Sequence, residues 1–184
     1  MTEQAPELSR FSWSSEFDPR EEEIIDLGPC IVIAKPVRTS KPERDLTALA
    51  PRSPQIQKIF SLKDMYKMRV DPRGVAGSHL HQKKVEIVFP IDNVELFFHL
   101  PERGETLGIS VAERIGNTSF GFLIKPGVVH AIKNPSEDKD AFYIVLSNMF
   151  EEDALAAGDV ISFSFHKPNP QPLHSLLTFP NQLK

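Results

Sequence analysis

Three residues in one short segment have the types and spacing of a metal-binding or acid–base site. His79 and His81 are separated by a single residue, and Glu86 follows five positions after His81. Side chains two residues apart in a β-strand point to the same face, so a strand here would present both imidazoles together. The odd spacing of Glu86 means that it can rejoin that face only if a turn or bulge falls within the polar stretch 82–84.

A third imidazole occurs about fifty residues later, where His130 follows the turn-forming pair Pro126-Gly127. Three imidazoles and one carboxylate form a ligand set that suits Mn, Fe, Ni, Cu or Zn, whereas calcium prefers oxygen ligands. The sequence therefore predicts a divalent transition metal, of unspecified identity, held by His79, His81, Glu86 and His130.

The composition indicates a single domain of ordinary size with extensions. The chain has 184 residues, of which 40% are hydrophobic, a net charge of -4 and a pI of about 5.9. This charge gives no reason to expect nucleic-acid binding, and no apolar run reaches the length of a membrane span. The first 19 residues lack the apolar core of a signal peptide, and the single Cys30 cannot form an internal disulfide. We therefore predict a cytoplasmic protein.

The middle of the chain contains short apolar stretches separated by turn residues, a rhythm typical of an all-β sandwich or barrel. The predicted strands are 24–25, 30–34, 59–62, 66–70, 85–89, 94–100, 107–112, 120–125, 128–132, 141–146 and 160–165. We expect 85–89 and 94–100 to form a hairpin over residues 90–93. A short helix is predicted from a capping-box-like start at Asn148 through Ala157, with Gly158 as its stop.

Three segments differ from this pattern and set the predicted boundaries. Residues 1–22 are polar apart from three aromatics and are predicted to form an N-terminal arm, before a single domain over 23–166. Residues 35–55 are rich in proline and charge and predict a long loop inside that domain. Residues 167–184 predict a proline-rich C-terminal tail. The aromatics of the arm are Phe11, Trp13 and Phe17, and the apolar residues of the tail are Leu173, Leu176, Leu177 and Phe179.

The two histidine segments resemble the two signature motifs of the cupin superfamily. The first motif of that family contains His-x-His, a four-residue gap and Glu, as at 79–86, and the second contains Gly-x-x-His-x-x-x-Asn, as at 127–134. The resemblance covers roughly residues 58–148. It implies the RmlC-like cupin fold, a double-stranded β-helix or jelly-roll barrel, with the short helix near the C-terminus.

Within the cupins, the chain is similar to sugar-nucleotide enzymes, namely 3,4-ketoisomerases and the cupins of capsular polysaccharide biosynthesis. The shared features are Arg73-Gly74, the His-x-His segment followed by lysine, and an acidic run at 151–153. This likeness implies an isomerase or epimerase that abstracts a proton next to a keto group of a carbohydrate. The predicted acid–base residues are Tyr143 and His99. Other candidates are Tyr66, Glu95 and Glu113 for proton transfer, and Lys125 or Arg73 for a phosphate.

Two other functions are compatible with the same residues. The metal set around Fe or Cu would also suit a dioxygenase of a small diol or enediol, because it leaves coordination positions open. A cupin that binds a small ligand without turnover is the non-enzymatic alternative. In each case the expected partner is a small molecule. We also expect a homodimer, because the aromatic arm and the apolar tail need a surface to bury them.

Overall fold

The computed structural model describes residues 22–36, 38–41, 44–47, 49–111, 114–115 and 118–177. Along these ranges the strands are β1 (Glu23–Asp26), β2 (Cys30–Pro36), β3 (Arg38–Lys41), β4 (Arg44–Leu46), β5 (Asp64–Val70), β6 (Val75–His81), β7 (Glu86–Pro90), β8 (Val94–Leu100), β9 (Glu105–Val111), β10 (Arg114–Ile115), β11 (Thr118–Ile124), β12 (Val129–Lys133), β13 (Ala141–Ser147), β14 (Val160–Ser162) and β15 (Gln171–Pro172). The helices are α1 (Pro54–Gln57), α2 (Glu151–Ala156) and α3 (Leu173–Leu177).

These strands form two facing sheets and a small separate pair. The first sheet has the order β1-β2-β11-β7-β13-β5, with β10 paired to β11, and the second has the order β14-β6-β12-β8-β9-β15. The chain passes from one sheet to the other between β5 and β6, and again between β6 and β7 and between β7 and β8. Such repeated crossing is the arrangement of a jelly roll. The predicted all-β fold is therefore confirmed.

The central strands of the first sheet, β2, β11 and β7, are buried on both faces. Alternate residues of β2 divide between two apolar clusters, with Cys30 and Val32 facing the second sheet and Ile31 and Ile33 on the outer side. This explains why the sequence of β2 is a continuous apolar run rather than an alternating one. In the main core between the sheets, the rings of Phe98 and Phe122 stack with centroids 6.4 Å apart.

Two of the predicted elements are wrong. Residues 59–62 form no strand, because the chain before them enters α1, where the Ser53 hydroxyl accepts a bond from the Gln55 N–H. Ile56 and Phe60, four residues apart, are buried together in the outer cluster. Strands β7 and β8 also form no hairpin. Each strand has a different pair of neighbours, and β7, with both faces buried, lies between β11 and β13.

The flanking segments show partial agreement with the predictions. The stretch predicted as a loop at 35–55 includes the β3–β4 pair and the start of α1. In the tail, Leu173 and Leu177 of α3 are buried in the main core. The arm aromatics Phe11, Trp13 and Phe17, and Phe179 of the tail, lie outside the described residues. No helix of the described ranges is long and apolar enough to span a membrane.

Candidate functional site

Three histidines converge from two neighbouring strands of the second sheet. His79 and His81 lie on β6, and His130 lies opposite His79 on the antiparallel strand β12. One ring nitrogen from each histidine can be chosen so that the three atoms all lie within 4.8 Å of one another. The ring centroid of His79 is 4.9 Å from that of His81 and 4.7 Å from that of His130. The structure therefore brings together the three imidazoles that the sequence predicted to share a site.

A β-bulge directs His79 to this point. His79 pairs with His130, but Gly77 pairs with Ala131, so Ser78 is the extra residue on its strand. Gly77 and Ser78 both have positive φ angles, of 82° and 63°. A Cβ atom on Gly77 would lie 2.9 Å from the carbonyl oxygen of His130, so glycine fits here for both conformation and space. The bulge thus stores backbone strain next to the candidate site.

Glu86 reaches the histidines from the opposite sheet. The strand β6 ends at His81, and after a turn the chain enters β7 of the first sheet, whose first residue is Glu86. Its Oε2 lies 3.3 Å from Nε2 of His130 and 3.6 Å from Nε2 of His81. Glu86, five residues after His81, therefore reaches the histidines because the chain crosses to the other sheet, and not because it returns to the same face of β6. Burial alone would raise the pKa of Glu86, but hydrogen bonds and charge from His130 and His81 lower this pKa well below its ordinary value.

The other oxygen of Glu86 belongs to a buried network that the sequence did not reveal. Oε1 accepts bonds from Lys84 Nζ at 2.8 Å and from the Tyr66 hydroxyl at 2.9 Å. The Lys84 side chain is 0% exposed, and its ammonium also contacts the Tyr66 hydroxyl and the carboxylate of Glu151. Burial lowers the pKa of Lys84, but Glu86 and Glu151 outweigh it and raise the pKa above its ordinary value. Lys84 is therefore a buried permanent cation behind the histidines.

A cavity of about 280 Å³ opens beside these groups, between the two sheets. Its polar walls are the three histidines, Glu86, Glu151 and two tyrosines, and its apolar walls include Met68, Val88, Ile132 and Val145. Burial lowers the pKa of His79 to about 4, with further lowering by His130 and His81, so its imidazole is neutral at neutral pH. Burial and then the charge of Glu86 raise the pKa values of both tyrosines, Tyr66 and Tyr143, which keeps the phenols protonated.

The two predicted acid–base residues occupy different places. Tyr143 lines the cavity, and within the described part of the chain its hydroxyl has no hydrogen-bond partner, so it is available to a ligand. His99 pairs with Val129, the residue before His130, and therefore points to the opposite face of the second sheet. There its ring stacks on Phe165 and its Nδ1 contacts the Thr106 hydroxyl. The proposed acid–base role of His99 does not fit this position.

The remaining candidates from the sequence are occupied elsewhere or not described. Glu95 pairs with Lys133, Lys125 lies 3.6 Å from Asp26, and Arg73 pairs with Glu137. None of these three lines the cavity. Glu113 lies outside the described residues. Asn134 of the second motif is a structural residue, because its amide donates to the carbonyls of Val70, Asp71 and Lys139.

The donor set fits a divalent transition metal. Nδ1 of His130 lies 3.3 Å from the carbonyl oxygen of Val128, which can only accept, so Nδ1 can donate there. Nε2 lies 3.3 Å from Glu86 Oε2, and it either donates a proton to that oxygen or, when unprotonated, shares a bound cation with it. Around a metal with bonds of about 2.1 Å, neighbouring donor atoms are roughly 3.0–3.4 Å apart. The 3.3 Å between His130 and Glu86 meets this spacing, and the three histidine nitrogens lie within 4.8 Å of one another. The histidines could hold such an ion if they moved slightly closer together, with Glu86 as a fourth donor beside them.

No protein-family model and no curated protein sequence matches the chain. Several solved structures share its fold. The dTDP-4-dehydrorhamnose 3,5-epimerase from Sulfolobus tokodaii superposes with a TM-score of 0.62 at 14% identity, over 85% of this chain and 93% of that one. The dTDP-6-deoxy-D-glucose-3,5-epimerase RmlC from Legionella pneumophila gives 0.59 at 13% identity, over 83% and 88%.

A third similar structure is QdtA, a sugar 3,4-ketoisomerase from Thermoanaerobacterium thermosaccharolyticum, in complex with TDP. Its TM-score is 0.54 at 21% identity, over 74% of this chain and 89% of that one. The superpositions show that these proteins share a fold with the chain. Because the sequence identities are low, the activity has to be argued from the site itself. The chain has the cupin fold, in its RmlC-like form.

Proposed function

We propose that this protein is a metal-binding cupin that isomerises or epimerises a keto sugar by moving a proton at the carbon next to the ketone. One observation carries the proposal: three histidines, Glu86 and two protonated tyrosines line one cavity. The volume of about 280 Å³ is at the lower end of ligand pockets, which favours a ligand the size of one sugar ring. The enzymes that share the fold act on sugar nucleotides, which supports this class of substrate.

The reaction needs a base, a stabiliser of the enediolate and an acid. The base takes the proton from carbon, the C–H electrons form the enediolate double bond, and the negative charge develops on the former ketone oxygen. A divalent ion held by the histidines would stabilise that oxygen as a Lewis acid. In isomerisation the proton is delivered to the former ketone carbon, while the hydroxyl proton of the carbon first deprotonated passes to the former ketone oxygen. In epimerisation the proton is delivered to the other face of the carbon from which it was taken.

The cavity walls supply groups for the proton-transfer roles. Tyr143 is the acid, because its phenol is protonated and its hydroxyl has no partner among the described residues. If the histidines are ligands, Glu151 is the base. Its Oε2 is held by Lys84, while its other oxygen has no hydrogen-bond partner in the described ranges. The Tyr66 hydroxyl already donates to Glu86 and so orients that carboxylate.

The metal is tested first, by elemental analysis of protein purified without a His-tag. We expect about one equivalent of a first-row divalent transition metal per chain, and loss of that metal in a His130→Ala variant. The matched control is His99→Ala, which removes an imidazole on the other face of the same sheet and keeps the metal. Protein that binds no divalent ion, even when Zn²⁺, Mn²⁺, Ni²⁺ and Fe²⁺ are supplied, would remove the metal from the proposal.

The reaction is tested in D₂O with dTDP-4-keto-6-deoxyglucose and with free ketoses. We expect deuterium to enter the carbon next to the ketone, as detected by NMR. Tyr143→Phe should slow this exchange about 10²–10⁴-fold while leaving metal content unchanged. Absence of exchange with every substrate would contradict the proposal. Oxygen uptake with diols by Fe- or Cu-loaded protein would then indicate a dioxygenase, and binding without turnover a ligand-binding cupin.

Dimerisation and a cytoplasmic location stay predictions of the sequence. Light scattering on the full chain tests the first directly, since a monomeric mass would contradict it.

A further inference from the structure

Asp159 makes several contacts to the segment that connects His81 with Glu86. It follows Gly158, which ends the turn after α2 with a φ of 64°, and it is only 2% exposed. Its Oδ1 accepts from the Lys83 N–H at 2.7 Å, and its Oδ2 accepts from the Lys84 N–H at 3.2 Å. Its backbone carbonyl accepts from the Gln82 N–H at 3.0 Å. Asp159 therefore closes the turn that carries the chain from the second sheet to the first.

The same carboxylate also contacts His81. Its Oδ2 lies 3.2 Å from Nδ1 of that imidazole, and both side chains are buried. A carboxylate oxygen that already accepts from a backbone N–H is an acceptor, so the hydrogen in this contact must come from Nδ1. A neutral imidazole with its proton on Nδ1 has its lone pair on Nε2, and Nε2 of His81 is the atom that lies 3.6 Å from Glu86.

We propose that Asp159 is a positioning residue that fixes His81 in the tautomer with the proton on Nδ1, so that Nε2 is presented to the cavity. The metal-binding consequence rests on the function proposed above, whereas the tautomer itself does not. Carboxylates that accept from the second nitrogen of a ligating histidine fix its orientation and increase its basicity. Asp159 acts through His81 and touches no reacting atom. Its effect is therefore on the tautomer of His81 and on metal affinity, and not on the proton transfer itself.

Two substitutions separate the contacts of Oδ2, to His81 and the Lys84 N–H, from the contact of Oδ1 to the Lys83 N–H. Asp159→Ala removes every side-chain acceptor. Asp159→Asn keeps one oxygen, which can occupy the Oδ2 position and accept from both His81 and the Lys84 N–H, while its amide nitrogen faces the Lys83 N–H. Both variants therefore lose the bond to Lys83, but only Asp159→Ala loses the acceptor that His81 shares with the Lys84 N–H. Asp153→Asn is the matched control, because Asp153 is an exposed carboxylate on α2 without a site contact.

The first measurement is the ¹⁵N chemical shift of the His81 ring in metal-free full-length protein, assigned by comparison with a His81→Gln spectrum. We expect protonated Nδ1 and unprotonated Nε2 in the wild type, Asp159→Asn and Asp153→Asn, and loss of this preference in Asp159→Ala. A wild-type ring with its proton on Nε2, or an Asp159→Ala ring unchanged from wild type, would overturn the proposal. This result is independent of whether the protein binds a metal.

The second measurement is a Zn²⁺ titration by calorimetry, with folding of each variant checked by circular dichroism. Asp159→Ala should bind Zn²⁺ about 10–100-fold more weakly than wild type, and Asp159→Asn should lie closer to wild type than to Asp159→Ala. Equal weakening in both variants would assign the effect to the turn and overturn the role through His81. If the wild type takes up no Zn²⁺, the metal proposal fails, and the tautomer measurement alone decides the role of Asp159.

Discussion

Two buried lysine–glutamate pairs lie on opposite faces of the first sheet. On the outer face, Lys35 pairs with Glu22, and both side chains are 3% exposed. The Lys35 ammonium also donates to the Ala50 carbonyl, and the Glu22 carboxylate accepts from the N–H groups of Arg52 and Ser53. On the inner face, Lys84 pairs with Glu86 beside the cavity. The same two residue types therefore occur in two different settings.

The two pairs differ in what remains available. Both oxygens of Glu22 accept from the Lys35 ammonium or from backbone N–H groups. The outer pair is therefore fully hydrogen-bonded, and it holds residues 50–53 against β2. In the inner pair, Oε2 of Glu86 still faces the histidines, and Glu151 extends the network to the cavity. Burial lowers the pKa of Lys35, whereas two carboxylates raise that of Lys84. The outer pair thus serves stability alone, whereas the inner pair also leaves carboxylate oxygens free to bind a cation.

The largest expected effect is that of Lys35→Met on stability. This change leaves Glu22 buried without its counter-charge, and breaking a buried pair in this way costs about 3–5 kcal/mol. We expect the free energy of unfolding in urea to fall by that amount. The Zn²⁺ affinity of the folded protein should be unchanged, because the pair lies on the other face of the sheet from the histidines.

The control for this prediction is Lys58→Met, an exposed lysine after α1, which should change the unfolding free energy by less than about 0.5 kcal/mol. A parallel loss of Zn²⁺ affinity in Lys35→Met would show that the two faces of the sheet are coupled, and would break the distinction between them.

A smaller loss of stability is expected for Lys84→Met. Glu86 keeps its bond from Tyr66, and Glu151 is 44% exposed, so water compensates part of the lost pairing. We expect metal-free Lys84→Met to be destabilised by less than Lys35→Met. Added Zn²⁺ brings positive charge next to Glu86 and should therefore raise the unfolding free energy of Lys84→Met by more than that of wild type.

Lys83→Met provides the comparison, because Lys83 is the adjacent residue and its side chain is exposed. It should match wild type with and without Zn²⁺. If Zn²⁺ stabilises Lys84→Met and wild type equally, the Lys84 pair serves stability alone, and the contrast with the Lys35 pair disappears.

The fold was largely predictable because strand patterns and turn residues are local features of sequence. The errors arose where tertiary partners decide the outcome. Residues 59–62 have an apolar pattern that suits a strand, but Ile56 and Phe60 are buried one helical turn apart instead. The pairing of β7 depends on strands more than thirty residues away, so a local hairpin pattern could not reveal it.

The site was predictable in its ligands and not in their support. His79, His81 and His130 stand out because their spacing and types are unusual. Lys84 is one of two adjacent lysines in a polar stretch, and only burial distinguishes it from Lys83. Asp159 lies 78 residues after His81, so no spacing rule connects them. Candidate ligands can be recognised from a short stretch of sequence, whereas the groups that orient them come together only in the folded protein.

The smallest expected effect concerns backbone strain at two positions. Ser78 and Arg73 are the non-glycine residues with positive φ in the described ranges, at 63° and 57°. A left-handed conformation costs a residue with a Cβ about 1–2 kcal/mol, and glycine avoids this cost but loses about 0.5–1 kcal/mol in chain entropy. Ser78→Gly and Arg73→Gly should therefore each raise the free energy of unfolding by about 0.5–1 kcal/mol.

The two variants should differ in Zn²⁺ affinity. This extends to the backbone the comparison between a region that serves stability alone and one that serves the histidine site. Ser78 is the bulge residue that aims His79, so glycine there loosens one ligand and should weaken Zn²⁺ binding. Arg73 lies in the turn before β6, and its exposed pair with Glu137 contributes little, so Arg73→Gly should leave Zn²⁺ binding unchanged. Equal Zn²⁺ affinities in the two variants would mean that the strain at Ser78 does not serve the site.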